Sequence, residues 1–377
     1  MSNKIRNSLA GVKVLDTSIA KIEEHEMYIR GYALTELVEK STFEESFYLL
    51  LNKELPNSVL LANFTKRLSE LREKIPSIVQ KEMDLFSGKE IYLNVLVSCL
   101  SALQSQTPPD IPPSIERIER QAIHTIAITP TILAWHYRKR IGRSRIKADP
   151  KLDHATNFHY MATGDPHQEK GKIVNKLMIL LSENELPAAT FASRVSASSR
   201  TRYYDSLIAG LCTLSGYRHG AAMNNVYDDL VEIANGRSIK DYYQKSMDTK
   251  RPLFGFGHRV HKTQIDKRVL VVKEMARNAQ KKYGGRLFSI SEEVERFMAN
   301  RSNKSLLPNV DFYIPALTES LGLDGMPISN IALSARIAGM SAHIIEEIKG
   351  GKLRPIFHPA SAYSGATNRA FVPVESR

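Results

Sequence analysis

Apolar residues recur along most of this chain at the three- and four-residue spacing of helices that bury one face. In "STFEESFYLLLNKELP", Phe43, Phe47, Leu50 and Leu51 share a side, Ser41 or Thr42 stands where a cap belongs, and Glu44 and Glu45 occupy the first turn. Pro56 is expected to stop that helix. The segment "RTRYYDSLIAGLCTLSG" sets Tyr204, Leu207, Leu211 and Leu214 on one face and ends at Gly216, and "MNNVYDDLVEIANG" repeats the pattern up to Asn235 and Gly236. Alternation with a period of two is confined to the beginning, where "VKVLDTSIAKIEEHEMYIRG" predicts a small β meander. There is no internal repeat, and the proline-rich "QTPPDIPP" at 106 to 113 reads as one surface loop between helices. The predicted fold class is all-α with that one meander.

A late helix carries a chemical clue. "SNIALSARIAGMSAHIIEEIKGG" crowds Ala332, Ala335, Ala338, Gly339 and Ala342 along a helix that stops at Gly350 and Gly351, so a neighbouring helix can pack closely around Arg336. An arginine so placed serves either a buried ion pair or a bound anion. His343, seven residues on, shares its face and reads as a core or supporting group rather than a metal ligand.

Composition narrows the setting. The 377 residues exceed one minimal core, and 42% hydrophobic with 24% charged residues is ordinary for a globular protein. Two cysteines, Cys99 and Cys212, make neither a disulfide framework nor a metal spacing, so a reducing cytoplasm is expected and no metal is. No stretch approaches about 18 consecutive apolar residues, so neither export nor membrane spanning is expected. The net charge of +12 favours anionic partners. In "GFGHRVHKTQIDKR", at 255 to 268, glycines that allow close backbone approach precede a run of basic side chains, which points to a bound anion.

Taken together, "PLFGFGHRVHK", "PNVDFY", "SARIAGMSAHIIEE", "LRPIFHPASAYSG" and "IAITPTILAWHYRKR" fall in the order and at the separations of the citrate synthase family, which also includes 2-methylcitrate synthases. "YIRGYALTEL" and "FEESFYLLLNKELP" resemble its N-terminal part, and the likeness runs from about Gly11 to Arg377. The resemblance implies a helical homodimer with a large domain from residues 1–215 and 321–377 and a small one from 216–320, closing over oxaloacetate and acetyl-CoA. It implies Asp311 as the base that takes a proton from the acyl methyl group, His219 as the donor to the thioester oxygen and His258 as the donor to the keto oxygen. Arg268, Arg336 and Arg354 map to positions that hold the dicarboxylate, Arg354 reaching the partner's site, and arginine's planar fork suits carboxylates. Phe254, Gly255, Phe256 and Gly257 match the stretch that meets the adenine of CoA, and Lys262 a basic position near its phosphates. No resident cofactor is implied beyond CoA as co-substrate.

The chain departs from the family pattern around the substrates. Where "DHELNAST" is usual it reads "SENELPAAT", so Asn184 takes the place of a histidine that meets oxaloacetate; asparagine still donates a hydrogen bond but is shorter and uncharged. "GPLHGGANE" has become "GYRHGAAMNN", bringing Tyr217 and Arg218 beside His219. Lys267 replaces a customary proline in a segment one residue longer than usual, and Met340 replaces a common tryptophan. Three readings follow: a citrate synthase; a synthase for another acyl-CoA or another 2-oxo acid, with a larger acyl group accommodated near His219; or a weakly catalytic protein that binds CoA or carboxylates. A citrate-cleaving lyase fits less well, because His219 is retained. The basic run "HYRKRIGRSRIK" at 136 to 147 lacks interleaved aromatics and a nucleic-acid fold, and is read as a solvated helix end and loop rather than a nucleic-acid site.

Overall fold

The computed structural model describes residues 9, 11–23, 26–108, 114–216, 219–257, 265–301, 306–326 and 328–377. Among these, β1 (Ala20–Glu23), β2 (Glu26–Ile29) and β3 (Tyr32–Ala33) form an antiparallel sheet in sequence order, with Ala20 opposite Ile29 and Tyr28 opposite Ala33. The turn from β2 to β3 puts Arg30 at φ 51° and Gly31 at φ 90°, so the meander is present and short. Among the described residues, the remaining elements are helices.

The first helices are α1 (Leu34–Lys40), α2 (Phe43–Asn52), α3 (Ser58–Glu73), α4 (Ser77–Leu85) and α5 (Tyr92–Ser105). In α2 the Thr42 hydroxyl accepts from the Glu45 N–H, and the Glu45 carboxylate accepts from the Thr42 N–H, a reciprocal cap that fixes the start. The helix ends earlier than Pro56: Lys53 adopts a left-handed φ of 75°, and its N–H closes on the Leu49 carbonyl. A C-terminal turn of this kind satisfies the last carbonyls without a proline.

Two long helices form the centre. The first, α6 (Ile115–Arg140), is buried from Ala122 to Arg138 apart from His124. After α7 (His154–Thr163), α8 (Gln168–Leu181), α9 (Ala188–Ser198), α10 (Tyr203–Leu214), α11 (Ala221–Ala234), α12 (Ile239–Thr249), α13 (Lys267–Tyr283), α14 (Leu287–Arg301) and α15 (Ile314–Ser320) comes the second, α16 (Ile328–Lys349). It packs against α6, α9, α8, α2 and α10. Small residues make this crowding possible. A Cβ on Gly210 of α10 would lie 2.1 Å from the Ser193 hydroxyl of α9 and 2.3 Å from the Met340 methyl of α16, so three helices meet where glycine leaves room. The helices expected within 200–216 and 223–236 are present as α10 and α11, the second beginning two residues earlier than its segment and closed by Gly236 at φ 107°. The loop expected at 106–113 lies partly outside the described residues.

The basic run after α6 is engaged in local packing. Arg138 bonds the carbonyls of Ser144 and Ala162, Arg145 pairs with Asp84 at 2.8 Å and lies 4.9 Å from the Trp135 ring, and Arg140 lies over Tyr92. Among the described residues no helix is long and apolar enough to cross a membrane, and no group of three or more acidic, histidine or cysteine side chains is arranged to hold a metal ion. Cys99 is buried and Cys212 exposed, both as free thiols.

Candidate active site

A cleft of about 610 Å³ opens where the start of α5, the α8–α9 loop, the start of α11, the start of α13, the segment before α15 and α16 converge. Asn184, His219, Arg268, Asp311 and Arg336 all line it, although they are up to 152 residues apart in sequence. Each is fixed by a local device.

Asp311 sits in a paired loop. The Gly257 N–H donates to the Leu307 carbonyl at 2.8 Å, the Asn309 N–H to the Gly255 carbonyl at 2.8 Å, and Phe256 bridges to Pro308. Asn309 then works twice: its amide donates to the Gly257 carbonyl at 3.2 Å, and its side-chain oxygen accepts the Asp311 N–H at 3.0 Å, an Asx turn that aims Asp311 into the cleft. The glycine stretch and the acid thus form one unit. Gly255, at φ 81°, is required by packing, because a Cβ there would come within 2.7 Å of the Phe312 ring; Gly257, at φ 80°, has open space around it. The Phe256 and Phe312 rings meet at 4.6 Å, tilted by 57°, and Phe254 is buried beneath Arg251.

The cleft's electrostatics favour an unusual carboxyl. Burial raises Asp311 from the ordinary 3.8 to about 6, even with the positive charges of Arg268 and Arg336 acting to lower it. Burial also pulls Arg336 down to about 10, with Glu183 and Asp311 opposing the fall and Arg268 adding to it. Arg336 is anchored by its Nε, which donates to the Leu181 carbonyl at 2.9 Å.

Arg268 is held from two sides. Asp266, which caps α13, receives its Nε at 2.9 Å and its Nη2 at 2.7 Å, and Nη1 donates to the Asn184 side-chain oxygen at 2.8 Å. These bonds use three of the five N–H groups that a guanidinium carries, which leaves capacity on both terminal nitrogens. With its oxygen committed to Arg268, Asn184 has its NH₂ group left to donate. Glu185, at φ 61°, gives the turn that follows Asn184. A donor is therefore available at this position, where the family pattern has histidine.

His219 stands against a helix start. Pro187 gives α9 no side-chain cap, and the first-turn Ala189 N–H instead donates to His219 Nε2 at 3.3 Å. A nitrogen that accepts carries a lone pair, so the ring proton belongs on Nδ1.

Other expected positions stand elsewhere. Arg354 does not line this cleft; it donates to the Asp16 carbonyl at 2.9 Å, lies 3.6 Å from the Glu347 carboxylate, and lines a separate cavity with Asp16, Arg30 and Glu346. His258 and Lys262 lie outside the described residues, as do Tyr217 and Arg218. Sequence reasoning missed Asp266, Asn309 and the Ile91–Asn94 turn at the start of α5. The first two had legible signals: an aspartate just before a helical run, and an asparagine two residues before an acid.

The family model for the citrate synthase C-terminal domain matches residues 8–360. A citrate synthase of Acidithiobacillus ferridurans is 31% identical over 382 residues, covering 98% of this chain and 97% of that protein. A citrate/2-methylcitrate synthase of Bacillus subtilis is 30% identical over 363 residues, covering 95% of each. The crystal structure of citrate synthase from Thermotoga maritima superposes with a TM-score of 0.86 at 32% identity over 99% of both chains.

Proposed function

Since the chain belongs to the citrate synthase family, we propose that this cleft condenses acetyl-CoA with oxaloacetate to give citrate and CoA. One observation carries the reading: a carboxyl raised to about 6 faces one buried and one half-buried guanidinium group and a histidine of fixed tautomer in a single cleft. The methyl protons of a thioester are far too weakly acidic for an unassisted carboxylate, so base and oxyanion donor must act together. Asp311 removes the proton, its raised pKa narrowing the gap to the carbon acid. His219 donates from Nδ1 to the thioester oxygen as enol character develops. Arg268 and Arg336, with the Asn184 amide, hold the carboxylates of the 2-oxo acid and orient its keto carbon toward the enol.

His258 is assigned to the keto oxygen, and Phe254 to Gly257 with Lys262 to CoA, on the family pattern alone. After the carbon–carbon bond forms, water hydrolyses the citryl thioester and releases CoA. Residues 216–320, as a small domain, would close over the substrates and exclude bulk water until that bond is made. Arg354, turned away from its own chain's cleft, fits a homodimer in which it completes the partner's site. No metal enters these steps, and a cytoplasmic setting suits both substrates.

Release of free CoA thiol from purified protein tests the reading. Acetyl-CoA and propionyl-CoA are each paired with oxaloacetate and with a panel of other 2-oxo acids. Turnover is expected with acetyl-CoA and oxaloacetate. A kcat/KM for propionyl-CoA above that for acetyl-CoA would assign the chain to 2-methylcitrate synthesis, and silence on every pair would leave a binding protein.

A further inference from the structure

Behind the cleft, one segment braces α16 at successive points. The Leu181 carbonyl holds Arg336 Nε at 2.9 Å, the Ser182 carbonyl accepts the Gly339 N–H at 3.2 Å, and the Glu183 carboxylate accepts from His343 Nε2 at 3.3 Å. The next residue, Asn184, holds Arg268 at 2.8 Å. Four consecutive residues thus contact both cleft arginines and the helix that carries one of them.

Glu183 is the unusual member. It is wholly buried, and its Oε2 has no hydrogen-bond partner among the described residues. That oxygen presses on the bare backbone of Gly339, where a Cβ would lie only 2.0 Å away. A buried carboxylate is strongly unfavourable unless opposite charge and hydrogen bonds offset it. His343 supplies one bond, and its orientation is set further back. Arg194, also wholly buried, donates from Nη1 to His343 Nδ1 at 2.9 Å, which puts the ring proton on Nε2 and directs it at Glu183. Arg194 is in turn clamped by Glu347 at 2.8 and 3.0 Å and by Glu346 at 2.7 Å.

We propose that Glu183 is a positioning residue for Arg336: the buried chain Glu347–Arg194–His343–Glu183 fixes a negative charge behind α16 that keeps the Arg336 guanidinium docked on the Leu181 carbonyl before the anionic 2-oxo acid arrives. This rests on the reading of the cleft as a 2-oxo acid site. The two charges are mutually dependent, since Glu183 is wholly buried and Arg336 half-buried, and each favours the charged form of the other. A preset arginine avoids reorganisation when the substrate binds.

Glu183→Gln keeps the volume and an acceptor for His343 but removes the charge. Crystal structures of the wild-type protein and this variant should show Arg336 leaving the Leu181 carbonyl in the variant. Steady-state kinetics should show KM for oxaloacetate up about tenfold with KM for acetyl-CoA nearly unchanged and the melting temperature lowered, and Glu183→Asp should recover most of both losses. His343→Gln, which breaks the chain one bond further out, should raise the same KM about threefold and serves if the first variant does not fold. An Arg336 that stays docked, a KM for oxaloacetate that holds or falls, or a lowered melting temperature with normal KM would each overturn the proposal. Wild-type inactivity on every substrate pair would refute the proposed function alone, because the crystallographic comparison still reports where Arg336 sits.

Discussion

Replacing Asp311 by asparagine should abolish turnover and make the protein more stable. Burial holds this carboxyl at about 6 against an ordinary 3.8, so its ionised form is disfavoured in the folded state. Each pKa unit corresponds to about 1.4 kcal/mol, and the shift gives a ceiling of about 3 kcal/mol. Asp311 is only half-buried, so screening reduces the expected gain to about 1–2 kcal/mol. Between pH 3.8 and 6 the folded protein binds this proton more tightly than the unfolded chain does. Wild-type stability therefore falls as pH rises through that window, and the penalty is complete above it. Asp311→Asn should unfold at higher urea concentration than wild type at pH 8, with the difference shrinking toward zero near pH 4. With Asp311 as the proposed base, the same pKa should govern the wild-type rate. A base at about 6 is about 9% ionised at pH 5, so kcat/KM, followed by thioester absorbance, should be about tenfold lower there than at pH 8. An ordinary carboxylate would lose almost nothing over that range. A variant less stable than wild type at pH 8, or a rate profile flat down to pH 5, would refute the assignment of Asp311 as a base of raised pKa.

Two further substitutions probe the walls of the cleft. Asn184→Ala removes the partner of Arg268 Nη1 and the neutral donor beside it, so KM for oxaloacetate should rise about fivefold to tenfold with KM for acetyl-CoA unchanged; equal shifts in both constants would remove Asn184 from the 2-oxo acid site. Gly339→Ala forces a methyl to within 2.0 Å of the Glu183 carboxylate and 2.6 Å of the Ser182 carbonyl, neither of which can retreat through a packed core. Thermal unfolding should register a loss of about 1–3 kcal/mol, and an unchanged melting temperature would mean that the segment from 181 to 184 does not brace α16.

What the sequence made legible was residue type and order; what it left hidden was pairing. The α2 cap could be read because Thr42 and Glu45 are three residues apart, whereas its end could not, because Lys53 takes a left-handed turn that no glycine announces. Asn184, His219, Arg268, Asp311 and Arg336 were each found by position in a family pattern, and the fold brings these five to one cleft. Their supporting partners were not readable in the same way. Arg194 meets Glu347 across 153 positions and His343 meets Glu183 across 160, and nothing in the local pattern of α9 or α16 marks those contacts.

The substitutions in "SENELPAAT" show why pairing matters more than identity. By residue type alone, asparagine for histidine removes a potential cation from an anion site and looks like a loss of function. In the folded chain its oxygen is taken by Arg268, which orients the amide, and that arginine is itself balanced by Asp266 at 2.7 Å. A carboxylate arriving there meets donors that are already directed, on a neutral pair rather than a bare cation. If this end of the cleft holds the 2-oxo acid as proposed, specificity there depends on hydrogen-bond geometry more than on net charge, and should be less sensitive to added salt than the steering that a net charge of +12 gives to anions in solution. Raising ionic strength should accordingly depress kcat/KM mainly through the encounter of CoA esters with the protein, and leave KM for the 2-oxo acid little changed at saturating acetyl-CoA. A KM for oxaloacetate that climbs steeply with salt would mean that the Asp266–Arg268–Asn184 cluster acts as an open charge after all.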